Sequence, residues 1–224
     1  MNYTFQFNVV ASHWPELMTG AWLTIRLSAM AMVLGLLVGV AGAYAKTSHI
    51  PPLRWLVHTY VEVIRNTPFL VQLFIIYFSL PGLGIRLDPN GAALLGMVIN
   101  LGAYAVEIVR AGIESIPRGQ VEAARALALT RFQTFRYVIV SPAIAAVYPA
   151  LASQFIILLL ASSLVSAISA SELTAITNSL QSTTFRSFEF YFAATGIYLT
   201  MALGFRFTLA AIYRLGFGWV RVAR

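Results

Sequence analysis

Five apolar stretches recur along this chain, at about 19–45, 55–80, 91–112, 138–165 and 189–213, and each is long enough to cross a lipid bilayer. A helix needs roughly 20 apolar residues to span the hydrocarbon layer. Inside lipid every backbone N–H and C=O must find a partner within the protein, so a stretch of that kind folds as a helix. Composition agrees: 59% of the 224 residues are hydrophobic and 10% are charged, against about 45–50% and about 25% in a soluble domain. One core cannot absorb that excess, so lipid must cover much of the surface. The expected fold class is an all-α integral membrane protein of five transmembrane helices, with residues 1–18 outside the membrane, 19–213 forming the transmembrane domain and 214–224 a cytoplasmic tail.

The polar breaks orient the chain. Lys46 and Arg54 follow the first stretch, Arg110, Arg118, Arg125, Arg131 and Arg136 follow the third, and Arg214, Arg221 and Arg224 follow the fifth. The opposite side has Arg86 and Arg186. Basic residues concentrate on the cytoplasmic side of membrane proteins, which places the N-terminus outside and the C-terminus inside. That arrangement needs an odd number of spans, and five satisfies it. A net charge of +7 would suggest nucleic acid in a soluble chain. Here the cations sit at span ends, so no nucleic-acid partner is expected. No Lys or Arg precedes the first apolar run, which is also longer than a signal-peptide core, so that run is expected to remain as a span.

The segment about 114–136 carries the most information. Residues 120–129 are strong helix formers, Pro117 and Gly119 precede them as breakers, and Thr130 followed by Gln133 has the form of a capping box. The expected product is a short helix held outside the membrane between two spans. Ala123, Ala124 and Ala128 give it a small face that permits close approach to another surface, and Glu122 and Arg125 give it polar groups to fix register. A faint echo links Val61-Glu62-Val63-Ile64-Arg65 with Val106-Glu107-Ile108-Val109-Arg110. In each, Glu and Arg sit three apart and share a helix face, which reads as an intrahelical ion pair.

The run Ala111–Leu127, with its Gln120-Val121-Glu122-Ala123-Ala124 centre, closely resembles the Glu-Ala-Ala loop of ABC-importer permeases of the polar amino acid branch. Three further motifs match in order: Tyr60–Leu73 with Tyr77-Phe78, Gly20–Ser28 with Thr24 and Leu27, and Pro149–Ile156 with Ser162-Ser163-Leu164. The resemblance covers about 17–213. It implies the type-I importer permease fold and a coupling role for Gly119, Glu122, Ala123, Ala124, Arg125 and Ala128. It also implies four partners: a dimer of ABC ATP-binding subunits, an extracytoplasmic amino-acid-binding protein, a second permease subunit (a second copy or a paralogue) and the lipid bilayer of a bacterial inner membrane. The motion it implies is alternating access, driven when the ATPase dimer closes.

The chain departs from that pattern. The usual Gly after Glu-Ala-Ala is Ala128, which helix propensity favours. The proline at the end of the loop is displaced to Pro142, a usual Arg is Ala145, and a usual Lys-Asp pair is Leu160-Ala161. The lost charges suggest that a paralogous partner holds the charged part of the substrate.

Polar groups inside spans are costly and mark candidate pathways. Asn100, Gln154, Ser162 and Ser163 are the candidates, with Ser153 beside them. On one helix Gln154 lies about 80° from Ser162 and about 180° from Ser163, so they cannot all face one path. Arg26 lies near the outer end of the first span. Arg206 lies deeper in the fifth and needs a partner or a water-filled cavity. Pro68 is expected to kink the second span, with Asn66 and Thr67 satisfying the freed groups. No catalytic constellation appears. His13, His49 and His58 are scattered, so no metal site is expected, and there is no cysteine. Ala45-Lys46-Thr47 lacks the glycine that a phosphate loop needs before its Lys. ATP and Mg are therefore expected in the partner ATPase, not in this chain. A secondary transporter would instead place ionisable residues at the midplane between inverted repeats, and a non-transporting membrane subunit would not explain the loop helix.

Overall fold

The computed structural model describes residues 3–217. Arg221 and Arg224, used above to orient the chain, lie outside them. Ten α-helices follow one another, and no strand occurs among the described residues. A short α1 (Phe7–Ser12) leads into α2 (Trp14–Lys46), which starts five residues before the expected first span, with Pro15 in its opening turn. The third apolar stretch is α5 (Pro89–Glu114), again opened by a proline. The fifth is α10 (Ser187–Phe217), which continues past the expected boundary at 213.

The second stretch does not form one span. Helix α3 (Pro51–Arg65) stops at Asn66, and α4 (Phe69–Phe74) restarts after Pro68 and continues through π- and 3₁₀-helical turns to Leu83. The two arms meet at 111°, so the expected kink is a full break. Pro68 lacks an N–H and forces the residue before it out of the helical region. Gln72 repairs the break: its Nε2 donates to Ile64 O at 2.7 Å, Thr67 O at 3.1 Å and Thr67 Oγ1 at 2.9 Å. Four helices are therefore long and apolar enough to cross a membrane, or five if the bent pair counts as one span.

The fourth stretch is a rod of 38 residues, Arg131–Ile168. It comprises α7 (Arg131–Gln133), a π-helical turn Thr134–Ile139, α8 (Val140–Ala161) and a 3₁₀ end Ser162–Ile168. The π turn lies just before Pro142, which cannot donate to the carbonyl of Val138. The segment between the fourth and fifth apolar stretches contains a further helix, α9 (Leu173–Thr184).

Helices α2 and α5 form the centre, α8 packs on α5, and α9 lies between α2 and α10. Lipid tails are as apolar as Leu, so helix pairs in membranes gain most from close backbone approach at small residues. Gly35, Gly39 and Gly42 of α2 supply that approach. A Cβ on Gly39 would stand 2.3 Å from Ala105 Cβ of α5.

Candidate functional site

Helix α6 (Arg118–Ala126) is the short helix expected between the third and fourth spans. It packs chiefly on the Thr134–Ile139 turn of its own chain. Pro117 is its N-cap, so Gly119 lies inside the first turn rather than before the helix. The helix ends at Ala126, three residues earlier than propensity suggests. Leu127 is the C-cap and Ala128 adopts φ 55°. Ala128 N–H donates to Arg125 O at 2.9 Å and Leu129 N–H to Ala124 O at 3.1 Å. This paired closure puts a left-handed residue just past the helix, a place that favours glycine. Ala128 is therefore outside the helix, and its helix propensity is irrelevant there.

The chain then restarts at once. Thr130 N–H donates to Gln133 Oε1 at 2.9 Å, and Gln133 N–H donates to Thr130 Oγ1 at 3.3 Å. That is the capping box read from sequence. Glu122, Ala123 and Arg125 are exposed on α6, with Gly119 beside them. Ala124 is buried at 3% exposure. The small face expected from Ala123, Ala124 and Ala128 is thus split: Ala124 packs inward, and Ala128 lies past the end. Around the exposed face stand Leu127 and Phe132, at 76% and 74% exposure.

A charge network ties the ends of α2 and α5, just before this helix in the chain. Lys46 Nζ meets Glu107 Oε1 at 2.5 Å, Arg110 Nη2 meets Glu107 Oε2 at 2.8 Å, and Arg110 Nη1 meets Glu114 Oε2 at 2.5 Å. One half of the sequence echo is therefore an intrahelical ion pair. The other half is not: Glu62 accepts from Asn66 Nδ2 at 3.1 Å, and Arg65 stacks over the Tyr104 ring.

The candidate pathway residues do not converge. Asn100 Nδ2 donates to Gln72 Oε1 at 3.0 Å, beside the Pro68 break. Ser162 is buried and donates to Leu159 O at 2.6 Å, while Ser163 donates to Leu160 O at 2.9 Å. Gln154 is half-buried on α8.

A polar centre at the start of α9 was not foreseen. Glu172 is fully buried. Its carboxylate accepts from Thr174 N–H at 2.8 Å, Ala175 N–H at 2.9 Å and the Tyr198 hydroxyl at 2.5 Å. Thr24 Oγ1 of α2 accepts the neighbouring Leu173 N–H at 3.2 Å. The open N-terminus of α9 is thereby closed by two side chains from different elements. Burial pushes the Glu172 carboxyl above the usual carboxylate range, against the pull of these donors. The available signal was an acidic residue immediately before a helix-length segment.

Arg26 and Arg206 are both exposed on their helices. Arg206 lines a groove of about 540 Å³ between α8 and α10.

A bundle of long apolar helices that presents one short polar helix between two spans is the architecture of a transporter's membrane subunit. The chain belongs to the family of binding-protein-dependent transport system inner membrane components, whose family model matches residues 21–216. It is a multi-pass permease subunit of the inner membrane. The chain is 41% identical over 165 residues to the L-cystine transport system permease protein TcyB of Bacillus subtilis (strain 168), covering 74% of this chain and 70% of that one. It is 35% identical over 216 residues to the glutamine transport system permease protein GlnP of Escherichia coli (strain K12), covering 94% and 97%. A solved structure described as an amino acid ABC transporter with histidines superposes with a TM-score of 0.88 at 38% identity, covering 95% of this chain and 99% of that one. The all-α type-I importer permease fold expected from the sequence is the fold observed.

Proposed function

We propose that this chain translocates polar amino acids by alternating access, coupled to a separate ABC ATPase dimer through α6. The observation that carries the coupling is α6 itself. It exposes Glu122, Ala123 and Arg125, its C-terminus is closed by Ala128 and Leu129, and the capping box that opens α7 follows at once. A short helix closed at its C-terminus and joined directly to the next capped helix transmits a push to the fourth span instead of fraying there. The Lys46–Glu107–Arg110–Glu114 network continues that stiffness into α2 and α5. The relatives named for glutamine and L-cystine transport support an amino acid as cargo. In this reading the N-terminus is outside and α6 is cytoplasmic. ATP and Mg are bound by the ATPase subunits, a binding protein delivers substrate from outside, and a second permease subunit completes the path.

The test is ATP-dependent uptake of labelled amino acids into proteoliposomes that contain permease, ATPase and binding protein. Glu122→Lys inverts the charge on the exposed face of α6. Uptake should fall roughly tenfold or more, equivalent to about 1.4 kcal/mol of lost coupling, while the permease stays in the membrane. Uptake that proceeds equally in the variant, or without the ATPase, overturns the coupling.

A further inference from the structure

Helices α2 and α8 both close on α5 at small residues. Gly39 brings α2 onto Ala105, and Gly112 brings α8 onto α5, where an added Cβ would overlap Val147 Cγ1. Beside these joins a trough of about 390 Å³ remains between α2, α5 and the start of the Arg131–Ile168 rod. That volume lies within the range of about 300–1,000 Å³ typical of ligand pockets. Leu36 and Val40 of α2, Val109 and Ile113 of α5, and Phe135 and Ile139 of the rod form its walls, and every side chain lining it is apolar. Such a space offers water no partner. Val40, Phe135 and Ile144 remain exposed along it, so an apolar chain can enter from the side.

One end of the trough is cationic. Arg131, Phe135 and Ile139 follow at four-residue spacing, so Arg131 stands one turn beyond Phe135 on the same face. The capping box at Thr130 fixes where that turn begins. Arg136 is next to Phe135 in the chain, with its guanidinium 5.7 Å from the Tyr137 ring centroid. Both arginines are exposed, and neither makes an ion pair among the described residues. The nearby Glu107 and Glu114 are already engaged by Lys46 and Arg110. A long apolar slot capped by two unneutralised guanidinium groups suits a ligand with an apolar tail and an anionic head. A second copy of the chain, at net charge +7, brings more cations than anions to this end. An anionic phospholipid has both parts, and basic pockets between membrane helices on the cytoplasmic side hold such headgroups.

The trough also shares a wall with the seat of α6. Phe135 and Ile139 belong to the Thr134–Ile139 turn on which α6 packs. We propose that an anionic phospholipid binds here, with an acyl chain in the trough and its phosphate on Arg131 and Arg136, and that its presence braces the turn that seats α6. The bracing rests on the coupling reading above; the lipid site itself does not.

The experiment measures lipid retention by the purified full-length permease after delipidation. The probes are labelled phosphatidylglycerol and labelled phosphatidylcholine with identical acyl chains, counted on the protein after gel filtration. Wild type should favour phosphatidylglycerol by about fivefold for each arginine. Arg131→Gln should lower phosphatidylglycerol retention about fivefold and leave phosphatidylcholine unchanged, and Arg131→Lys, which keeps the charge, should retain most of the preference. Val40→Trp fills the trough from α2, away from α6, and should lower retention of both lipids. Equal retention of the two lipids by wild type overturns the proposal, and so does unchanged retention in Arg131→Gln or in Val40→Trp. Dissociation of the permease pair by Val40→Trp also overturns it, because the trough is then covered by the second subunit. ATP-dependent uptake into phosphatidylcholine proteoliposomes tests the bracing: added phosphatidylglycerol should raise uptake by wild type more than by Arg131→Gln, and an equal response overturns that part. Retention needs neither ATPase nor ATP, so uptake independent of the ATPase sinks the importer reading while the lipid site is still read separately.

Discussion

Helices α5 and α10 are both long, apolar membrane helices, and they are built for opposite tasks. Half of the most apolar window of α5 is buried inside the chain, against 11% for α10. Small residues explain the first value. Where α2 and α5 cross, Gly35, Gly39 and Gly42 face Leu101, Ala105 and Val106. Helix α10 also carries small residues, Gly196 and Gly204, yet nothing stands within 4 Å of a Cβ built on either. Both helices are apolar enough to span a membrane. What separates them is whether the small residues meet a partner. The seam is a fixed joint, and α10 is a wall whose other side is left for substrate, lipid or a second subunit.

The largest effect should come from closing the approach in the seam. In Gly39→Ala the new methyl meets Ala105 Cβ at 2.3 Å and Ala105 backbone C at 3.0 Å. Backbone cannot swing aside as a side-chain tip can, so α2 and α5 must separate. The expected loss is about 2–3 kcal/mol, read as a lower melting temperature of the detergent-purified protein. An unchanged melting temperature would show that the seam is compliant and would erase the contrast with α10. A smaller loss is expected at the end of the same seam. Lys46→Met removes one of two cations from Glu107, whose side chain is 19% exposed. Arg110 remains on Glu107 at 2.8 Å, so the carboxylate is not orphaned and the cost should be about 1–2 kcal/mol. Adding 0.5 M salt should shrink that difference only slightly. A complete loss of the difference in salt would make the pair a solvated surface contact.

How legible this was in the sequence depends on what enforced each feature. Four spans were readable because lipid demands long apolar helices, and the capping box at Thr130 and Gln133 was readable because its two bonds depend on local spacing alone. The break at Pro68 was underestimated. Proline announces a lost hydrogen bond, but whether the arms continue or turn depends on Gln72 and Asn100, which come from different elements. Helix α9 was missed because its Ser, Thr, Asn and Gln content resembles a loop, and it is held by Glu172 and Thr24 rather than by propensity. At Ala128 the composition was misread, because the helix had already ended. That gives a third, smaller prediction. Ala128→Gly should stabilise the protein by about 0.5–1 kcal/mol, since φ 55° suits glycine and the methyl is strained there. If Ala128→Gly destabilises, the left-handed closure of α6 is not what ends the helix.

The smallest effect is expected on α10, and it tests what the wall faces. Gly196, Thr200, Gly204 and Thr208 recur every four residues and are all exposed. Thr200 and Thr208 each donate to the carbonyl four residues back at 2.8 Å, so their hydroxyls are satisfied within α10 and ask nothing of a neighbour. Gly204→Ala therefore meets open space, and stability should move by no more than about 0.5 kcal/mol. The same substitution in the assembled permease pair is more demanding. Small residues at four-residue spacing let two membrane helices approach closely. If a second subunit's helix lies on this stripe, Gly204→Ala will dissociate the pair while leaving the single chain as stable as before. If lipid lies there, both measurements stay level. Thus Gly39 and Gly204, the same residue in two long apolar helices, should respond differently to the same methyl, because one already meets a neighbour at its surface and the other does not.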